Sequence, residues 1–136
     1  MNNVISNFKR KEYEFLSNFY EMNIDMNIYE YTGLEDFGIN ILSNEFYINQ
    51  IDEPVFKTAE HLFQFLKCSN IIDAKKIIKA KNAREAKKIG RKIELRKDWE
   101  NIKDIVMYLV IKNKFSYPKI KDQLVKTGNA FIVEGN

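Results

Sequence analysis

Cysteine and histidine occur once each in this chain of 136 residues, as Cys68 and His61. A single cysteine cannot close an internal disulfide, and one of each cannot build a structural Cys/His zinc site. No cluster of Asp and Glu at ligand spacing replaces them, so no metal is expected. Glycine is scarce, five in all, and none falls in a GxGxxG or GxxxxGK[ST] loop. That excludes the glycine-rich phosphate cradles of those mononucleotide-binding folds, and with them ATP-driven and kinase chemistry. No apolar run reaches membrane-spanning length, and the N-terminus carries no signal-like apolar region. With the single cysteine, these absences lead to the expectation of a reducing, cytoplasmic setting and no membrane partner. Excess charge is small as well. Twenty-two Lys and Arg stand against nineteen Asp and Glu, a net +3, which permits an anionic ligand but is weaker than a dedicated nucleic-acid binder usually shows.

What is present is apolar and aromatic. Hydrophobic residues make up 45% of the chain and aromatics 13%, with ten Phe and seven Tyr, enough to bury a core. The length suits one domain and not two, so residues 1–136 are expected to form a single compact unit. In the first half, Phe37-Gly38-Ile39-Asn40-Ile41 alternates with period two and reads as a strand, as does the stretch 45–51, closed by Asp52-Glu53-Pro54. From Thr58 the pattern becomes helical. Thr58 suits an N-cap; Asn82 with Glu85 has capping-box spacing, and Gly90 sits where that short basic helix would stop. Asp98 is placed to cap a longer helix carrying Trp99, Ile102, Val106, Leu109 and Val110 at the 3.6 period. Pro118 suits the first turn of a last helix, Gly128 its stop, and residues 130–134 a strand. The expected class is α+β, with a small antiparallel sheet in the N-terminal half and a mostly helical C-terminal half.

Three positions on the first helix stand out. Glu60, Gln64 and Lys67, at i, i+4 and i+7, set an acid, an amide and an amine on one face, while Ala59, Leu62, Phe63 and Leu66 form an apolar stripe. Such a set could hold a sugar or phosphate oxygen near the acid. A first-turn carboxylate is also favoured by the helix dipole without any function, and the plain alternative is a solvated face. A Ser-His-Asp triad would have to use His61, next to that acid. Upstream, Ser17-Asn18 interrupts the aromatic run Phe15, Phe19, Tyr20; the polar pair fits a small-molecule pocket and a turn equally well. Trp99 could stack a base while cations of the run Arg84, Lys87, Lys88, Arg91, Lys92, Arg96, Lys97 meet phosphate, yet it is also in register with the core positions of its own helix.

Taken in order, Phe15-Leu16-Ser17-Asn18-Phe19-Tyr20, Thr58-Ala59-Glu60-His61, Ala83-Arg84-Glu85-Ala86-Lys87-Lys88-Ile89-Gly90, Arg96-Lys97-Asp98-Trp99, Met107, Lys114-Phe115 and Leu124 to Gly128 followed by Val133-Glu134 resemble the NADAR superfamily, the YbiA-like N-glycosidases. The match covers most of the chain and is weakest from Glu21 to Ile51. Family members generally continue beyond the position of Glu134 into a closing Asp…Trp-Gly motif, whereas this chain stops at Asn136, so a domain short of that motif is expected.

The resemblance implies cleavage of a ribose C1'–N bond, either in phosphorylated ribosylaminopyrimidines of riboflavin synthesis or in ADP-ribose joined to a base such as guanine. It implies a small-molecule nucleotide or ADP-ribosylated base as partner, with ADP-ribosylated DNA as an accessory case marked by salt dependence, and no cofactor. Carried over by position, Glu60 is the catalytic carboxylate. Lys67 would steady the leaving base or a phosphate, Ser17 and Asn18 the ribose hydroxyls or base edge, and Trp99 would stack or wall the pocket. Phe19, Gln64, Lys114 and Glu134 join them as substrate-binding candidates, and Arg10, just before the aromatic segment, could meet a phosphate. Two other readings stand beside this one: a non-catalytic binder, sink or sensor, of an ADP-ribose or NAD-derived nucleotide, and a protein-interaction module.

Overall fold

A computed structural model of the chain describes residues 4–26, 28–44, 51 and 54–132. Regular structure is unevenly divided along it. The strands are two residues each: β1 (Val4–Ile5), β2 (Ile24–Asp25), β3 (Val55–Phe56) and β4 (Phe131–Ile132). β2 and β3 pair antiparallel, Ile24 opposite Phe56, and β1 and β4 pair parallel, Val4 opposite Phe131. Between them run three 3-10 segments, Lys11–Leu16, Ile28–Tyr31 and Glu35–Phe37, and five helices: α1 (Ala59–Leu66), α2 (Ile71–Lys79), α3 (Ala83–Gly90), α4 (Trp99–Lys114) and α5 (Pro118–Val125).

The helix starts follow from short polar side chains. Thr58, Asn70 and Asn82 each accept a hydrogen bond from the backbone N–H three residues on, at His61, Asp73 and Glu85, a cap worth about 1 kcal/mol apiece. The Asp98 position starts α4, as expected, but its carboxylate does not cap; it is drawn away to Arg96. α1 is the central helix. It packs on α2, α3, α4 and β3, burying Leu62, Phe65 and Leu66 completely, each contributing on the order of 2 kcal/mol from apolar burial. Phe65 meets Phe56 of β3 with ring centroids 4.9 Å apart.

The expected strand at 37–41 is not formed. Gly38 takes a left-handed φ of 75° and its N–H bonds to Glu35 O, which closes a 3-10 turn and stops any extended run. Phe37 is left 78% exposed while Ile41 is buried and Ile39 packs partly buried against the core, so the alternation records inward residues in a loop. The strand expected at 45–51 lies outside the described residues apart from Ile51, a bend. The tail strand is present at Phe131–Ile132, and its parallel pairing with β1 brings the two ends of the domain together.

This irregular N-terminal half is held by side chains reaching into it. Asn113 on α4 donates to Asp25 O and to the Tyr31 hydroxyl, both at 3.2 Å, and the Tyr117 hydroxyl accepts from Asp25 N–H at 2.7 Å. Arg96, buried, does the same at a larger scale. Its guanidinium donates to both carboxylate oxygens of Asp98 (2.7 and 3.1 Å), to Ile41 O (2.6 Å), Asn40 O (2.9 Å) and Leu66 O (3.4 Å), and to Ser43 Oγ (2.9 Å).

Candidate functional site

The site grows from the first turn of α1 and the loop that covers it. Four N–H groups at a helix start lack a helical partner, and here that of Glu60 donates to Asn18 O at 3.0 Å. The loop is fixed from the other side by Lys114, at the end of α4, whose Nζ donates to Ser17 O at 2.6 Å. Ser17 Oγ in turn accepts from Phe19 N–H at 3.0 Å. Asn18 is thereby set over the N-terminus of α1, with its Nδ2 3.6 Å from Met107 Sδ, a weak acceptor.

Along α1 the three spaced polar residues form one chain. Glu60 and Gln64 are buried. Gln64 Nε2 donates to Glu60 Oε1 at 3.0 Å, and Lys67 Nζ donates to Gln64 Oε1 at 3.1 Å. The amide can face only one way: reversed, its oxygen would meet the carboxylate and its NH2 group the ammonium. Burial lowers the Lys67 pKa from its ordinary value, with the Glu60 charge opposing and Arg91 assisting. Lys114 is more strongly affected. It is 1% exposed, its ammonium donates, among the described residues, only to a neutral carbonyl, and burial brings its pKa down to about 8. Its ammonium lies 5.8 Å from the Tyr20 ring centroid and 5.4 Å from that of Phe115, contacts that favour the charged form.

His61 has no part in a triad. Its Nε2 donates to Ala80 O at 3.0 Å and its Nδ1 accepts from Thr58 Oγ1 at 2.7 Å, a pairing that fixes the neutral tautomer. Burial also lowers its pKa. The histidine beside Glu60 therefore ties the start of α1 to the turn between α2 and α3. Cys68 is buried too, its thiol pushed up to about 12 by desolvation, which makes it a poor nucleophile.

The remaining candidates divide. Trp99 is 5% exposed and lies tilted against Phe63, centroids 5.2 Å apart; its covered ring can wall a site but offers no open face for stacking. Phe19 is 42% exposed, with Lys87 Nζ 5.9 Å above its ring, and it lines a cavity of about 470 Å³ together with Phe8, Ser17, Tyr20 and Glu21. Arg10 pairs with Glu12 at 2.5 Å and lies 5.7 Å from the Tyr13 centroid. It borders a different cavity, about 740 Å³, beside β1 and α5 with Gln123, Lys126 and Thr127. Glu134 lies outside the described residues. Among the described residues no group of three or more His, Cys, Asp or Glu is placed to hold a metal, and no helix is long and apolar enough to cross a membrane.

Three residues gain importance that the sequence pattern did not give them. Arg96, read as part of a basic run, is the buried pin described above. Lys87 is the member of that run placed against Phe19. Gly90, read as a helix stop, is the last residue of α3, with Arg91 following in right-handed helical geometry. What requires a glycine there is Gln64: a Cβ at position 90 would overlap Gln64 Oε1 and stand 2.6 Å from its Cδ.

A model described as the NADAR domain matches residues 7–136. The chain belongs to the NADAR family. Among solved structures it is similar to the E. coli protein YbiA, determined by NMR, with a TM-score of 0.67 and 25% identity over 98% of this chain and 68% of that one. Among curated proteins it is similar to the chloroplastic riboflavin biosynthesis protein PYRR of Zea mays, 36% identical over 98 residues. That match takes in 62% of this chain and spans 16% of the relative's length.

Proposed function

We propose that this NADAR protein is an N-glycosidase that hydrolyses the C1'–N bond between a ribose and a base in a phosphate-bearing substrate, with Glu60 as the catalytic carboxylate. The observation that carries the reading is the Glu60–Gln64–Lys67 chain along α1, with the acid and the amide buried and the amine half-buried. A carboxylate with one oxygen tied to an amide keeps the other available. Next to C1' it would stabilise the oxocarbenium-like centre and take a proton from the attacking water. The water oxygen bonds to C1', the electron pair of the broken C1'–N bond stays on the base nitrogen, and that nitrogen receives a proton.

Three further features support a phosphorylated ribosyl ligand. Among the described residues the Asn18 side chain is held only by a thioether, so exchange for a ribose hydroxyl or base edge loses little. Lys114 is a cation removed from water and Lys67 one partly so, and such cations gain most from a desolvated anion. Residues 71–97, which include α3 beside α1, carry eleven basic and three acidic side chains, a local field that draws a phosphate in. Ser17 and Phe19 would border the ligand, Trp99 would wall the site behind Phe63, and Arg10 would serve only a phosphate that extends toward β1 and α5.

The substrate is a free ribosylaminopyrimidine phosphate or an ADP-ribosylated base such as guanine. Incubation with each compound, followed by mass spectrometry, distinguishes them by the base released. If every compound is returned intact and one remains bound, the nucleotide sink or sensor replaces the enzyme.

A further inference from the structure

Helix α3 reaches α1 at Gly90, and the contact falls on the middle member of the polar chain. The Gln64 amide must stand between Glu60 and Lys67 to bond the first through its NH2 group and the second through its oxygen. In that position its amide occupies the space a side chain at residue 90 would need. Gly90 is itself buried and helical, and its φ is not in the left-handed region, so its backbone conformation is open to any residue. The conformational freedom of glycine explains nothing here; the missing Cβ does.

We propose that Gly90 is a positioning residue for Glu60, acting through Gln64. The absence of a side chain at position 90 is what permits the Gln64 amide to stand between the carboxylate and the ammonium. The obstructed atoms are the far end of a flexible side chain, so an alanine there would push Gln64 aside rather than prevent folding. Alanine is moreover the better helix former. Displaced, Gln64 would release Glu60 Oε1 and Lys67 Nζ together, leaving the carboxylate to rotate and the amine without its acceptor. A misplacement of this size at a reacting group is enough to slow a reaction by about 100-fold.

The catalytic part rests on the glycosidase reading above, so the test has an arm that needs no substrate. Gly90→Ala, Gln64→Ala and the double variant would be compared with the parent. The first measurement is the NMR titration of the Lys67 side chain alongside the thermal midpoint. Gly90→Ala is expected to keep a midpoint close to the parent's while its Lys67 titration moves to that of Gln64→Ala. The second measurement is base release. Gly90→Ala is expected to lower kcat about 10- to 100-fold with KM changed less than about threefold, and to cause no further loss in the Gln64→Ala background, where the space is already vacant. The proposal is overturned if Gly90→Ala leaves Lys67 titrating as in the parent, or if the two substitutions multiply in the double variant. It is also overturned if Gly90→Ala unfolds the protein and Gln64→Ala does not rescue it. Should no compound be hydrolysed by the parent, the titration arm alone still decides whether Gly90 governs Gln64, while the glycosidase reading falls separately.

Discussion

Two buried cations, one bonded to the last residue of α1 and one to the loop over its first turn, are treated in opposite ways. Arg96 meets a bidentate carboxylate, three backbone carbonyls and a hydroxyl. Lys114, equally buried, donates to one neutral carbonyl between two aromatic rings. Removing a charge from water costs several kcal/mol, recovered only when its donors are fully used. Arg96 meets that condition and joins the 40–43 loop, the end of α1 and the start of α4 into one unit. Lys114 does not, and under the proposed function its remaining donors beside the Ser17–Asn18 loop are what an anionic ligand would use. The contrast separates a buried cation whose donors the fold uses fully from one whose donors it uses in part.

Arg96→Ala should have the largest effect on stability. It leaves three carbonyls and the Asp98 carboxylate without their donor, at a cost of about 3–5 kcal/mol, read as a fall in the urea midpoint. A loss below about 1 kcal/mol would mean that water replaces the guanidinium and that the contrast with Lys114 is not energetic.

The next effect is a pH dependence. Lys114 titrates at about 8 in the fold and at its ordinary 10.5 when unfolded. Between those values the unfolded chain holds a proton that the folded protein has released, so stability rises with pH, by on the order of 3 kcal/mol in all. Above pH 10 the buried Tyr31 hydroxyl, which resists ionisation, opposes the rise. Lys114→Met should flatten the slope between pH 8 and 10 in denaturant titrations. An unchanged slope would show that Lys114 is hydrated and not the uncompensated charge described.

A smaller effect comes from His61. Its folded pKa is lowered, so the unfolded chain takes up a proton below about 6.5 that the folded ring refuses, and stability falls as the pH drops through that range. His61→Gln should remove this acid-side slope and leave base release per folded molecule within about threefold of the parent. A loss of activity comparable to that of a Glu60 variant would return His61 to the chemistry.

Much of this was legible in the residues. The caps at Thr58 and Asn82, the periodicity of α4 and the i, i+4, i+7 spacing of Glu60, Gln64 and Lys67 are local signals, and local geometry obeys them. The errors share a cause. Phe37 to Ile41 alternates without forming a strand because strand formation needs a partner that period-two spacing does not reveal. Asp98 starts α4 without capping it because Arg96, two residues away, offers a stronger bond. Arg96 itself lies in a run of exposed cations, and nothing in that run marks the one whose loop partners are more than fifty residues distant. Gly90 does end α3, as its position suggests, but the need for a glycine there comes from a neighbour on another helix.

The most direct test of the account is the single-turnover release of base from a ribosylated substrate by the parent protein and by Glu60→Gln at equal folded concentration. The account predicts release by the parent, a rate about 10³-fold lower in the variant, and unfolding midpoints that agree. Equal rates from the two proteins would contradict the assignment of the chemistry to Glu60.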